Sequence, residues 1–83
     1  MRKSHKERYY WNNDYIEGTL YFSKNAEYNS FLIEKLYEEL LFEKGAKTQS
    51  KLQIFFTDFA NRLQQGGLAV NPLKLVNYSA IAA

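Results

Sequence analysis

The stretch YIEGTLYF, residues 15–22, decides the fold class of this chain. In an extended segment Ile16, Leu20 and Phe22 fall on one side, and Glu17, Thr19 and Tyr21 on the other. This period of two is rich in aromatic and β-branched residues and contains Gly18, which disfavours helix, so it reads as a half-buried strand. Asn12-Asn13-Asp14 just upstream is a turn cluster, and residues 7–11 form a second extended stretch ending in Tyr9-Tyr10-Trp11. An N-terminal β-hairpin is expected, with strands at 7–11 and 15–22. A hairpin alone is marginal in water and must pack on something. If residues 9–22 were helical instead, the chain would be an all-α three- or four-helix bundle.

What the hairpin packs on follows next. AEYNSFLIEKLYEELLFEKG, residues 26–45, reads as a helix. Asn25 can cap it, Glu27 suits the positive end of its dipole, Lys44 suits the last turn, and Gly45 can take a positive φ beyond it. At about 100° per residue, Leu32, Ile33, Leu36, Tyr37, Leu40 and Leu41 form one broad apolar side. Glu27, Glu34 and Glu38 form an acidic stripe. Beyond them Tyr28, Phe31 and Phe42 gather around Lys35 as a second, aromatic side. An ordinary surface helix has one apolar stripe. Here either the hairpin or a second molecule must cover the second one.

TQSKLQIFFTDFANRLQQGG, residues 48–67, reads as another helix, with Leu52, Phe55, Phe56, Phe59, Ala60 and Leu63 on one face and Gly66-Gly67 ending it. Asp58 and Arg62 are an i,i+4 pair. The connection Gly45-Ala46-Lys47 is short, so the two helices are expected to be antiparallel neighbours. The acidic stripe of the first would then meet Lys51 and Arg62 of the second. Leu73-Lys74-Leu75-Val76-Asn77-Tyr78 could form a third strand, but Asn71-Pro72 resembles a cap followed by a first helical residue and no breaker follows, which favours a short C-terminal helix at 72–80. The expected class is α+β: a β-hairpin packed on an antiparallel helical hairpin, with a short C-terminal helix.

Eighty-three residues suit one domain, residues 1–83, with residues 1–8 as a candidate flexible basic arm. So short a chain has a thin core. Its 17% aromatic content supplies large buried area from few residues. The absence of cysteine excludes disulfides and thiolate metal sites and favours a reducing, cytoplasmic setting. No stretch reads as a signal peptide or as a membrane span. The net charge of +2 is segregated along the chain: +3 over residues 1–8, −5 over 9–43 and +4 over 44–83.

Chemistry is hard to assemble from these residues. The only histidine, His5, lies beside Ser4 in a polar head, with nothing to position it as a catalytic base. Glu34/Glu38 and Glu39/Glu43 are spaced i,i+4, but no histidine accompanies them as di-metal sites require. Gly66-Gly67-Leu68-Ala69-Val70 lacks the Lys-Ser/Thr of a phosphate loop. A helix-turn-helix across residues 59–83 would need a tighter turn and a more basic second helix. No enzyme activity, cofactor or metal is expected.

Two functional readings remain. The first is a small non-enzymatic intracellular interaction protein (an adaptor, regulator or inhibitor) acting through Tyr28, Phe31, Lys35 and Phe42, with a protein partner and as a homodimer. The alternative is nucleic-acid binding. Arg2, Lys3, Lys6 and Arg8 would neutralise phosphates and Tyr9, Tyr10 and Trp11 would stack on bases, with Lys47, Lys51 and Arg62 as a second patch.

Overall fold

The computed structural model describes residues 5–11 and 16–75; of Trp11 and Ile16 it describes the backbone only. The elements run in the order β1 (His5–Trp11), β2 (Ile16–Phe22), α1 (Ala26–Lys44), a 3-10 turn (Ala46–Thr48) and α2 (Gln49–Gln65). This is the α+β arrangement that the alternation at residues 15–22 implies, with the β-hairpin in place and no helix at 16–22.

β1 and β2 pair antiparallel, from His5 opposite Phe22 to Trp11 opposite Ile16. The pairing starts at His5, two residues before the expected boundary, so residues 5–8 of the candidate arm belong to the strand; residues 1–4 lie outside the described residues. The pleat sends His5, Glu7 and Tyr9 to one face with Gly18, Leu20 and Phe22, and Lys6, Arg8 and Tyr10 to the other with Glu17, Thr19 and Tyr21. The first face lies on the helices. Phe22 is fully buried there, and Tyr9 meets Phe59 edge-on at 6.3 Å between ring centres. Tyr9 reaches that position by lying across Gly18. A Cβ at residue 18 would run into the Tyr9 ring and hydroxyl, which explains a glycine inside a strand.

α1 starts as its sequence indicates. The Asn25 side-chain oxygen accepts from the Tyr28 N–H at 2.7 Å, and Glu27 and Lys44 occupy the first and last turns. It ends at Gly45, whose φ of +95° is strained for any other L-residue. The 3-10 turn then reverses the chain into α2. The core lies between the helices: Ile33, Tyr37 and Leu41 from α1 against Leu52, Phe56, Phe59, Ala60 and Leu63 from α2, with Tyr37 and Phe56 edge-on at 6.2 Å. Leu32, Leu36, Leu40 and Phe55 flank it, partly buried.

The segment after α2 differs from expectation. Residues 68–75 carry no helix, so the described part of the expected 72–80 helix is irregular backbone; residues 76–80 lie outside the described residues. The reason is visible in its partners. Gln64 donates to the Val70 carbonyl, Lys74 N–H donates to the Glu34 carboxylate at 2.8 Å, and Gln53 donates to the Leu75 carbonyl at 3.5 Å. Side chains of both helices hold this backbone, while Val70 is buried and Leu68, Leu73 and Leu75 pack against the core. Such external bonds replace the internal ones a helix would make. The hairpin takes one flank of the helical pair, and this segment takes the other.

Asn29, fully buried in α1, joins the parts. Its carbonyl oxygen accepts from Ser23 N–H at 2.9 Å, and its amide nitrogen donates to the carbonyls of Ser23 at 2.9 Å and Ala69 at 2.8 Å. One side chain thus fixes the exit of β2, the start of α1 and the chain beyond α2. Each such bond contributes about 1 kcal/mol, and more when a buried partner is left unmade. Asn29→Ala is expected to cost about 2–4 kcal/mol, read as a lower urea midpoint. Asn29→Asp keeps the acceptor but loses the donors and buries a charge. It should therefore be less destabilised at low pH, where the carboxyl is neutral, than at pH 7.

The Tyr37 hydroxyl is raised above its usual pKa of 10.0, chiefly by burial, opposed by a hydrogen bond with Gln53 and reinforced by the Glu38 charge. With the folded value above the unfolded one, the tyrosine's contribution is fully present below pH 10 and is lost as pH rises through the folded value. The loss is at most about 1.4 kcal/mol per pH unit. Tyr37→Phe should flatten the fall in stability above pH 10, measured by urea unfolding across that range.

Candidate functional site

The outer side of α1, turned away from α2, presents Tyr28, Phe31, Lys35 and Phe42. Tyr28 keeps 47% of its surface exposed, Phe31 57% and Phe42 78%. The hairpin therefore does not cover the second aromatic side of this helix. Geometry explains why. Ile33, Tyr37 and Leu41 turn α1 inward, so residues about half a turn away must face outward. The hairpin sits on the flank of Glu39, whose charge reaches Tyr9. The segment 68–75 sits on the opposite flank, where Glu34 accepts from Lys74 N–H. Between these two flanks the strip stays open.

Phe31, Glu34, Lys35, Glu38, Glu39 and Phe42 line a shallow groove of about 490 Å³ along the strip. The aromatic side and the acidic stripe, distinct in the sequence reading, thus form one surface: aromatic at both ends, with Lys35 among glutamates at its centre. The helical wheel contained this signal, since Glu38 falls only about 20° from Phe31 at 100° per residue.

The structure divides the residues of the nucleic-acid reading. Lys6, Arg8 and Tyr10 share the exposed outer face of the hairpin with Tyr21. Arg8 lies 3.5 Å from Glu17 on that face, an exposed pair of little energetic weight. Tyr9 is on the inner face, and its hydroxyl is pushed up by burial and then by Glu39. Lys47 and Lys51 are exposed at the turn between the helices. Arg62 pairs with Asp58 at 3.2 Å and lies over the Phe59 ring at 5.9 Å. Arg2, Lys3 and the Trp11 side chain lie outside the described residues. Lys6 and Arg8 thus stand on the outer face of the hairpin, whereas Arg62 sits over the Phe59 ring that meets Tyr9 of its inner face.

Among the described residues no ion pair joins the acidic stripe to Lys51 or Arg62; Arg62 is held within its own helix. His5 contacts Glu7 at 2.9 Å on the strand. No group of three histidine, aspartate or glutamate side chains among the described residues is placed to hold a metal ion. No described helix is long and apolar enough to cross a membrane. Comparison with protein-family models, characterised proteins and solved structures gives no match.

The exposed aromatics contribute little to the fold itself, because their rings meet water rather than core. Phe42→Ser is expected to change stability by no more than about 0.5 kcal/mol, whereas Phe56→Ala, in the core, should cost about 3–5 kcal/mol. Paired urea titrations measure both.

Proposed function

We propose that this chain is a small non-enzymatic, intracellular protein-interaction module (an adaptor, regulator or inhibitor) whose working surface is the outer strip of α1. The observation that carries this reading is the set of large aromatic side chains held exposed on the one side of α1 that neither flanking layer covers. Burying such a side chain is worth about 1.5–3 kcal/mol, and aromatic anchors dominate binding at protein interfaces. A mixed aromatic and charged strip supplies both affinity and selectivity. The non-enzymatic part of the reading rests on a lone histidine that is exposed on a strand. The intracellular part rests on the absence of cysteine.

A second reading, nucleic-acid binding, is supported by one observation: the strand pleat gathers Lys6, Arg8, Tyr10 and Tyr21 on one exposed face. It is the weaker reading, because Arg8 is paired with Glu17 on that face and Arg62 is engaged by Asp58 and the Phe59 ring.

Co-precipitation from cell extract separates the two. Phe31→Ser/Phe42→Ser bait should lose the proteins that wild-type bait retains. Ile54→Ser, which alters an exposed apolar residue of α2 (71% exposed), should keep them. Equal recovery by all three baits would sink the interaction reading. Salt-sensitive binding of labelled single-stranded or duplex nucleic acid, lost in Lys6→Ala/Arg8→Ala, would establish the second.

A further inference from the structure

The strip carries a pattern that identifies its occupant. Phe31, Lys35, Glu38 and Phe42 follow one another at spacings of four, three and four residues. These are the alternating a and d positions of a heptad, with Tyr28 one heptad before Lys35. Read in reverse, the order answers itself: aromatic meets aromatic, and cation meets anion. All of these side chains are exposed on the outer side of one continuous helix.

We propose that the strip binds a second copy of this chain, with the two α1 helices antiparallel about a two-fold axis that passes midway between Lys35 and Glu38. This rests on the interaction reading above and names its partner. In this register Phe31 faces Phe42 of the second copy and Lys35 faces Glu38 of the second copy, and the symmetry repeats both contacts. Two ion pairs at the centre are flanked by two aromatic pairs, with a to d layers as antiparallel helices require. A two-fold interface must be self-complementary, and this sequence is so only in the antiparallel sense. A parallel pairing would set Lys35 against Lys35 and Glu38 against Glu38, with like charges in contact.

The rest of the groove fits the same assignment. Glu34 is engaged by the Lys74 N–H at 2.8 Å, and Glu39 lies on the hairpin flank where its charge reaches Tyr9, which leaves Lys35 and Glu38 as the opposite charges at the centre of the seam. Ile33 and Leu40, on the far side of α1 from the seam, pack toward the core, so the helix serves both surfaces without conflict. The α1 helix has 19 residues, so a seam along it is short. It falls at the small end of specific interfaces, about 1,200 Å² or less, which suits a dimer with a dissociation constant on the order of micromolar.

Charge reversal tests this on the full chain by sedimentation equilibrium, with circular dichroism to verify folding. Lys35→Glu and Glu38→Lys should each weaken self-association at least about tenfold, since each sets two like-charge pairs face to face. An equimolar mixture of these two variants should restore a dimer, because each mixed contact then pairs Glu with Lys. Geometry is tested separately in this cysteine-free chain with a short bismaleimide. A mixture of Phe31→Cys and Phe42→Cys should cross-link. Phe42→Cys alone should not, because its two copies would lie about 16 Å apart along the seam.

The proposal is overturned if the purified wild type stays monomeric at millimolar concentration. It is overturned equally if dimerisation ignores the charge variants, or if Phe42→Cys cross-links to itself. A monomeric wild type whose strip still retains a different protein in the co-precipitation would overturn self-pairing while leaving the interaction reading intact. Equal recovery by all baits would remove the interaction reading itself.

Discussion

The architecture depends on the buried amide of Asn29. A polar side chain at the heart of so small a protein is tolerated only if its hydrogen bonds are made. Here the oxygen and the nitrogen of the amide are both engaged, with Ser23 on both sides of its peptide and with Ala69. Those partners come from the exit of the hairpin and from the chain beyond α2, which apolar contact alone would leave free to slide. Hydrophobic burial is non-directional; an amide with fixed donors and acceptors is not. By fixing where β2 ends and where the chain turns back, Asn29 assigns the hairpin to one flank of the helical pair and residues 68–75 to the other. The third side of α1 is what that assignment leaves open.

Much of this was legible in the sequence because it is local. The alternation of residues 15–22 is a property of the strand itself, and Asn25, Lys44 and Gly45 mark the ends of α1 by chemistry that acts within a turn. The first strand begins two residues before its local signal, because His5 and Lys6 have no strand signal of their own; they pair because Phe22 and Tyr21 stand opposite. The same limit explains residues 72–75. Asn71-Pro72 is a sound local helix start, but Gln64, Glu34 and Gln53 hold the backbone around it from α1 and α2, and such distant partners leave no mark on the local sequence. Asn29 is illegible for a related reason: a lone asparagine in an amphipathic helix looks like a solvated residue until its partners are known.

The site was legible in its parts and less so in its grouping. Tyr28, Phe31, Lys35 and Phe42 were readable as one side of the helix, but Glu34 and Glu38 were set apart as a stripe although they line the same groove. On the hairpin, a count of aromatics joined Tyr9 to Tyr10, whereas the strand period places them on opposite faces.

The residues that build the fold and the residues proposed for association are separate sets on one helix. Ile33, Tyr37 and Leu41 are fully buried against α2; Phe31, Lys35, Glu38 and Phe42 make no part of that core. A helix used on both sides would normally risk confusion between its two faces, since either apolar side can pack on α2. Charge removes the ambiguity. Turning the outer strip inward would bury Lys35, Glu38 and Glu39 against Leu52 and Phe56, and unpaired charges in such a core cost several kcal/mol each. In the proposed pairing, the same charges that keep the strip outside during folding select a partner that answers a cation with an anion in the right order. Exposure of the aromatics, and in the proposed pairing the selectivity for what covers them, thus both follow from the charges interleaved with them.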